Sequence, residues 1–254
     1  MSSLAGKAAL VTGAARGIGA AIAVEFAKKG ASVYVAANEL EGHLQKVVQA
    51  CKAANPSGEA NHGIFDFFNS GDPEKMVAAA LKALGRIDIL VNNAGLRISK
   101  NYGEYSEKDF DQVVAVNIKA PFLVGQAVIP AMKAAGGGRI INIASQMGLV
   151  TDAQIALYGL TKAALIHLTK SMAFELAPHN IIVNAVSPGP VMTEFNAERI
   201  SANPALKARR LSYIRAGRYG RPEEVAEVVA FLASTDATYM LGHNLVIDGG
   251  YVVH

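Results

Sequence analysis

Three side chains suited to proton transfer occur at a defined spacing in the second half of the chain. Tyr158 and Lys162 are four residues apart in YGLTK, which places both on one face of a helix. A free tyrosine has a pKa of about 10, so a tyrosine that exchanges protons near neutral pH needs a positive neighbour. Ser145 ends the apolar segment GRIINIAS, thirteen residues before Tyr158. The three residues therefore indicate acid–base chemistry, although Tyr-x-x-x-Lys is also common on helix surfaces.

A glycine-rich turn follows the first apolar segment of the chain. TGAARGIG contains Gly13, Gly17 and Gly19. Glycine permits a tight turn, lets backbone N–H groups approach a pyrophosphate and allows close packing of helix on strand. An anion would then lie at the positive end of the helix that begins near Gly17. The same glycines would suit an ordinary strand–helix turn, but their place after the first buried strand favours dinucleotide binding.

The end of the second strand bears on which dinucleotide would bind. An acidic residue there would bind the ribose hydroxyls of NAD and repel the 2′-phosphate of NADP. This chain has Ala37 and Asn38 at that place, with Glu39 beyond the strand. Arg16, inside the glycine turn, would reach a 2′-phosphate, unless it is a solvated arginine at a helix start. These residues favour NADP and leave NAD open.

Short apolar segments alternate with longer amphipathic ones along the whole chain. Val/Ile-rich strands without polar alternation are typical of a parallel sheet buried on both faces, and strict alternation with helices predicts a doubly wound α/β domain. We expect one domain over residues 1–254, with an inserted lid or binding segment at about 192–221 that forms one or two short helices. The predicted strands are Ala8–Thr12, Ser32–Ala36, Ala60–Asp66, Ile87–Asn92, Gly138–Ala144, Ile181–Ser187 and Asn244–Asp248. The predicted helices are Gly17–Lys29, Gly42–Ala53, Pro73–Leu84, Glu107–Ala134, Leu157–Ala177 and Pro222–Ala233.

Composition narrows the class of protein further. The 254 residues are 51% hydrophobic and 18% charged, with a net charge of +3 and no long basic run, which argues against disorder and against nucleic acid as the main partner. Cys51 is the single cysteine, so a reducing compartment is expected. Apolar runs such as Ala120–Met132 fall short of the ~18–20 residues of a membrane span. We therefore expect a cytoplasmic protein that binds no membrane.

Several other chemistries lack their sequence patterns. The six histidines form no H-E-x-x-H pattern and no Cys/His cluster, so no metal site is expected. Ser145 is not in a G-x-S-x-G elbow, which argues against a hydrolase. The glycine turn does not end as a Walker A motif, which argues against phosphoryl transfer.

The order and spacing of the motifs resemble the short-chain dehydrogenase/reductase family over nearly the whole chain. The resemblance rests on TGAARGIG, NNAG at 92–95, Asn117 in VNIKAPF, Ser145, YGLTK, and SPGPVMT at 187–193. It implies a Rossmann-type domain with a sheet of about seven parallel strands, and an enzyme that transfers a hydride between NAD(P) and a ketone or secondary alcohol. It also implies a homotetramer.

The resemblance assigns a role to each matching residue. Tyr158 would be the general acid or base, Lys162 would lower its pKa and bind the nicotinamide ribose, and Ser145 would hydrogen-bond the substrate oxygen. Asn117 would hold a water that links Lys162 to solvent, and Asp66 would contact the adenine. The other residues expected at the cofactor are Gly13, Arg16, Gly17, Ile18, Gly19, Asn38, Asn93, Gly95, Pro188, Gly189 and Thr193.

The substrate is the part that the sequence specifies least. The inserted segment at about 192–221 is expected to line its pocket, together with Arg97, Ser145, Gln146, Met147, Leu149 and Gln154. Arg97 would receive an anionic group or be a solvated loop arginine. A 3-oxoacyl-acyl-carrier-protein reductase is the alternative within the family, but Phe174 stands where such enzymes usually carry an arginine that docks the carrier. A non-catalytic nucleotide-sensing scaffold is the alternative from another class, although none of the catalytic residue types is missing.

Overall fold

A computed structural model of the chain describes residues 3–38, 41–194, 197, 200 and 204–253. Its centre is one sheet of seven parallel strands in the order β3-β2-β1-β4-β5-β6-β7. The order reverses at β1, so the carboxyl ends of β1 and β4 flank a crevice of the kind in which doubly wound sheets bind ligands. The predicted fold class is confirmed. The strands are β1 (Ala8–Thr12), β2 (Ser32–Ala37), β3 (Ala60–Ile64), β4 (Ile89–Asn92), β5 (Gly138–Ile143), β6 (Ile181–Pro188) and β7 (Asn244–Ile247).

Helices cover both faces of the sheet because its central strands are apolar on both sides. On one face, Val11 of β1 belongs to a core with α1, α2 and α8; on the other, Leu10 belongs to a core with α3, α5 and α6. Neighbouring residues of one strand thus enter opposite cores. The helices are α1 (Gly17–Lys28), α2 (Glu41–Ala54), α3 (Asp72–Leu84), α4 (Glu107–Val114), α5 (Ala120–Ala134), α6 (Ala156–Leu176), α7 (Pro204–Tyr213) and α8 (Pro222–Ala233).

Two boundaries differ from the sequence-based expectation in ways that affect the site. Strand β3 ends at Ile64 rather than Asp66, because its partner β2 ends at Ala37, opposite Ile64. The helix expected over 107–134 is divided by a π-helical turn at Ala115–Lys119. Such turns are often found at functional sites, and this one contains Asn117.

The helical run Glu107–Ala134 is, by length and composition, the one candidate membrane span among the described residues. A core helix of a soluble protein passes the same test, so the run is weak evidence for a span. In the fold, Val124, Val128 and Met132 of α5 are fully buried in the core beneath the sheet.

The segment inserted before α8 leaves the sheet edge and returns to the same point. Val191 forms a parallel β-bridge with Gly220, and the Met192 N–H donates to the Gly220 carbonyl at 2.8 Å. Within this excursion α7 is held on the protein by the Arg209–Asp152 ion pair. The ring of Tyr213 lies 5.6 Å from that of Tyr251. The segment therefore covers the carboxyl end of β6.

Candidate active site

The glycine turn between β1 and α1 packs directly against the chain that leaves β4. Gly13 has φ +62°, and a Cβ there would lie 2.7 Å from the Ala94 Cα. A Cβ at Gly19 would lie 2.4 Å from the Asn93 amide nitrogen and 2.5 Å from the Gly13 carbonyl oxygen. Side chains at these two positions would force backbone apart, so close approach requires glycine at both, and the positive φ of Gly13 favours glycine there as well.

Asn93 and Thr12 join the two loops by hydrogen bonds. The Asn93 amide donates to the carbonyls of Thr12 and Gly13 at 2.9 and 3.0 Å. The Thr12 hydroxyl accepts from the backbone N–H groups of Asn93 and Ala94, both at 3.0 Å. Sequence reasoning missed Thr12, although a hydroxyl at the end of a buried strand was a usable signal. Together the bonds hold the crevice edges in register.

A long cleft in two parts runs along these loops. One cavity, of about 560 Å³, lies over the glycine turn, and a second, of about 370 Å³, lies beside Ser145 and Tyr158. The two adjoin, because both are lined by Asn93, Gly95, Leu96, Arg97 and Thr193. The cleft therefore connects the glycine turn to the proposed catalytic residues.

The cavity over the glycine turn contains most of the residues expected at the adenosine end. It is lined by Gly13, Gly17, Arg16, Asn38 and Asp66. The Asp66 Oδ1 accepts from the Phe68 N–H at 3.0 Å, which shapes the turn after β3. Glu39 lies outside the described residues, whereas Gly19 is buried beneath the turn and acts through packing rather than as cleft lining.

Asn117 occupies the buried inner end of the catalytic constellation. Its side-chain oxygen accepts from the Leu96 N–H at 2.7 Å, and its amide donates to the Leu96 carbonyl and the Thr161 hydroxyl, both at 2.9 Å. The π-helical turn points this side chain inward, and Thr161, on α6, was missed by sequence reasoning. Asn117 thereby ties the loop after β4 to the helix that carries Tyr158 and Lys162.

Ser145 and Tyr158 are brought together at the floor of the second cavity. Ser145 follows β5, and its side chain caps a short helical turn by accepting from the Met147 N–H at 3.1 Å. Its hydroxyl donates to the Gln146 side-chain oxygen at 3.0 Å, and Ser145 lines the same cavity as Tyr158. Ser145 therefore both caps the short helical turn and lines the cavity.

The pKa of Tyr158 differs from the expectation that Lys162 would lower it. Burial raises the pKa of Tyr158, while the hydrogen bond to Ser145 and the charge of Arg97 act in the lowering direction. Lys162 lies 5.7 Å from the centre of the Tyr158 ring, and its ammonium donates to the Ile143 carbonyl at 2.8 Å rather than to the phenol. Burial also lowers the pKa of Lys162 to about 8.

Some of the residues expected to bind substrate line this cavity, and others do not. Arg97, Gln146 and Met147 line it, as do Ile18, Pro188 and Gly189 nearer the cofactor cleft. Gln154 and Leu149 do not line it. The Gln154 amide instead donates to the Asn101 side chain at 3.4 Å, and this loop residue has a positive φ of 61°. Tyr219, Arg210 and Tyr251 line the cavity and were missed, since the insertion that carries two of them has no diagnostic pattern.

Neither metal nor thiol chemistry has a visible site in the described part of the chain. No group of three or more His, Cys, Asp or Glu residues there is arranged to hold a metal ion. Cys51 is buried in α2, and burial raises its pKa to about 12, so its thiolate is scarce near neutral pH.

Comparison with known proteins places the chain in a family. A family model described as enoyl-(acyl carrier protein) reductase matches residues 13–252. An NAD-dependent glycerol dehydrogenase of Listeria innocua is 38% identical over 247 residues, covering 97% of this chain and 94% of the relative.

Two solved structures show the same fold over nearly all of the chain. A short-chain type dehydrogenase/reductase from Mycobacterium marinum has a TM-score of 0.92 and 38% identity, covering 99% of this chain and 98% of that one. A 3-oxoacyl (acyl-carrier-protein) reductase from Agrobacterium tumefaciens, with NADP bound, has a TM-score of 0.91 and 34% identity, covering 98% and 95%. This chain therefore belongs to the short-chain dehydrogenase/reductase family and is an oxidoreductase that transfers a hydride between a nicotinamide cofactor and a ketone or secondary alcohol.

Proposed function

We propose that the protein is an NADP-preferring carbonyl reductase or secondary-alcohol dehydrogenase in which Tyr158 is the general acid and base. The observation that carries this proposal is that Ser145, Tyr158 and Lys162 line one cavity, which adjoins the cavity over the glycine turn. When bound, the nicotinamide supplies or accepts the hydride, so the protein has to orient the substrate and move one proton.

The residues of the cleft fit a nicotinamide dinucleotide. Gly17 has φ +60° at the start of α1, and a Cβ there would approach the Thr193 side chain to 3.3 Å and narrow the cleft. A Cβ at Gly95 would lie 3.6 Å from the Lys162 ammonium, where it would fill the passage between the two cavities. Gly17 and the N–H groups of α1 would hold the pyrophosphate, Asp66 the adenine, and Lys162 the nicotinamide ribose.

The proton would travel through the phenol of Tyr158. In the reduction the Tyr158 O–H donates to the substrate oxygen while Ser145 hydrogen-bonds that oxygen and stabilises the charge that develops on it. In the oxidation the phenolate removes the same proton. Lys162 positions the cofactor ribose and adds positive charge behind the phenol, and Asn117, held by Leu96 and Thr161, would support a water that connects Lys162 to solvent.

The preference for NADP follows from the charges at the end of β2. Asn38 and Arg16 line the same cavity, and neither is acidic, so a 2′-phosphate would meet no described carboxylate at these positions. The NADP-bound Agrobacterium relative agrees with this choice, and the NAD-dependent Listeria relative argues for the other cofactor.

Asn38→Asp tests the cofactor preference. A carboxylate at this position would repel the 2′-phosphate and accept from the ribose hydroxyls of NAD, so we expect the ratio of kcat/KM for NADPH over NADH to fall by about tenfold to a hundredfold. Steady-state rates with both cofactors measure the ratio. Wild-type turnover with NADH equal to or better than with NADPH would contradict the proposed preference.

A 3-oxoacyl-acyl-carrier-protein reductase is the second candidate function. The similarity to the Agrobacterium enzyme favours it. Phe174 argues against carrier docking, because its side chain is 87% exposed on α6 at the position where such enzymes usually carry a basic residue. Lys133 and Lys170 remain as basic residues that an acidic carrier would be able to contact.

We further propose that the protein is a homotetramer, as its family resemblance implies. Large apolar side chains are exposed on the helices that cover one face of the sheet, which supports burial between subunits. Light scattering after size-exclusion chromatography is expected to give four times the mass of one chain, and a monomer at micromolar concentration would refute the proposal. The exposed apolar side chains on these helices are Phe110 on α4, Phe122 on α5, and Leu160 and Phe174 on α6.

A further inference from the structure

The charged side chains described in the lining of the catalytic cavity are all positive. Among the described residues, the charged side chains that line it are Arg97, Lys162 and Arg210, and no carboxylate lines it. Lys162 is already assigned to the cofactor ribose, which leaves two guanidinium groups without a role in the proposed reaction. A small cavity of about 370 Å³ that concentrates positive charge attracts an anionic ligand.

Arg97 lies beside the reacting group. Its guanidinium carbon is 5.9 Å from the centre of the Tyr158 ring, and its charge acts to lower the pKa of that tyrosine. The Nε–H donates to the Ser99 hydroxyl at 3.0 Å. A substrate anion bound by the Arg97 guanidinium would also be close to the carbonyl that Tyr158 protonates.

Arg210 reaches the same cavity from α7. Its neighbour Arg209 pairs with Asp152, in the loop before α6, and Tyr213 stacks at a tilt against Tyr251. These two contacts hold α7 over the cavity, and Arg210 itself is half-buried in the cavity wall. The inserted segment therefore places a second guanidinium at the substrate end of the site.

Tyr219 is an independent observation that points to a ligand site in this cavity. It lines the same cavity and is only 8% exposed, yet its hydroxyl has no hydrogen-bond partner among the described residues. A buried hydroxyl without a partner is costly and rare in folded proteins. A ligand oxygen at the outer end of the cavity would satisfy it with a small adjustment of the ring.

We propose that the substrate is a ketone or secondary alcohol that carries an oxyanion, a carboxylate or a phosphate, bound by Arg97 and Arg210 with the Tyr219 hydroxyl as an additional donor. Guanidinium groups recognise both anions through paired N–H donors. The inference rests on the proposed carbonyl reduction, since it names the class of substrate that the same site accepts.

The test compares carbonyl probes that differ only in charge. Acetoacetate is paired with methyl acetoacetate, and dihydroxyacetone phosphate with dihydroxyacetone, which separates a carboxylate from a phosphate. We expect wild-type kcat/KM to be at least about tenfold higher for the anionic member of one pair, because charge-assisted hydrogen bonds are the strong ones. Arg210→Gln should lower kcat/KM for the anionic member more than for the neutral member and so reduce that preference severalfold.

Three further variants comprise one charge control and two tests of the other residues of the site. Lys207→Gln removes an equal charge from an exposed position on α7, one turn before Arg210 and outside the cavity lining, and should leave the preference unchanged. Tyr219→Phe should raise KM for the anionic probe several-fold without lowering Tm, because the hydroxyl has no partner to lose. Arg97→Gln should reduce turnover of both probes, and more for the anionic one, because its charge also acts on Tyr158.

The outcomes separate this inference from the proposed function. Equal use of charged and neutral probes, with turnover that still depends on Tyr158, would overturn the oxyanion site and leave the reductase intact. A rise in the Kd of NADPH in Arg210→Gln that accounts for its loss of activity would assign this arginine to the cofactor and also overturn the site. Failure to reduce any probe despite tight NADPH binding would overturn both.

Discussion

Replacing Tyr158 with phenylalanine is expected to lower kcat/KM by about a thousandfold, the usual contribution of a positioned general acid or base. The change removes one oxygen from a side chain that shares the cavity with Ser145 and lies against Lys162 and Arg97. Phenylalanine keeps the ring and therefore its packing against the two cations. The loss should thus appear in turnover, while NADPH affinity and Tm stay near their wild-type values.

A second Tyr-to-Phe substitution, outside the active site, serves as the control. Tyr102 is 87% exposed and does not line the catalytic cavity, so Tyr102→Phe should retain full activity. NADPH fluorescence titration and thermal unfolding of both variants would show that fold and cofactor site are preserved. Undiminished turnover by Tyr158→Phe would exclude this phenol as the proton donor.

The pH dependence of the wild-type enzyme should follow from the raised pKa of Tyr158. Burial keeps the phenol protonated through neutral pH, which is the form that reduction requires. Reduction should therefore be sustained near neutral pH and fall as pH rises through that pKa, and oxidation should increase over the same range. The phenylalanine variant should lose this opposite dependence.

A side chain at Gly19 is expected to damage both stability and cofactor binding. The Cβ of Gly19→Ala would lie 2.4 Å from the Asn93 amide nitrogen and 2.5 Å from the Gly13 carbonyl oxygen, the two atoms that join the glycine turn to the loop after β4. Such overpacking typically costs about 1–3 kcal/mol, or a fall in Tm of about 2–12 °C in a chain of this size. Because the turn itself must move, NADPH affinity should fall as well.

Gly42→Ala is the matched control for this substitution. Gly42 lies on the exposed side of α2, and a Cβ there meets nothing within 4 Å. Alanine is favoured over glycine in helices by up to about 1 kcal/mol, so Tm should be unchanged or higher. A Gly19→Ala protein with wild-type Tm and NADPH affinity would show that the turn is not as tightly packed as the structure indicates.

Much of the fold could be predicted because its local signals agree with the global arrangement. The strands β1 and β2 are apolar without alternation, which only a sheet covered on both faces accommodates, and all seven strands lie within a few residues of their expected ranges. The predicted end of β3 at Asp66 was wrong because hydrogen-bond pairing with β2, rather than the residues of β3, decides where that strand stops.

Some residues of the active site could likewise be predicted from the sequence, and others could not. Ser145, Tyr158 and Lys162 were recognisable because their types and spacing express their chemistry. Arg210 and Tyr219 were not, because an inserted segment with no periodic pattern brings them to the cavity from about fifty residues further along the chain. Their effect on the substrate depends on distances in space, which residue spacing does not encode.

By itself the sequence determined the class of fold, the family and the identity of the proton-transfer residues, since these follow from local patterns of apolar residues, glycines and hydroxyls. Only the tertiary structure decided the electrostatics of the site. Burial raises the pKa of Tyr158 and lowers that of Lys162 to about 8, and the two arginines enter the cavity from separate elements. Desolvation and Coulomb energy depend on what surrounds a charge in three dimensions, so no spacing rule anticipates them.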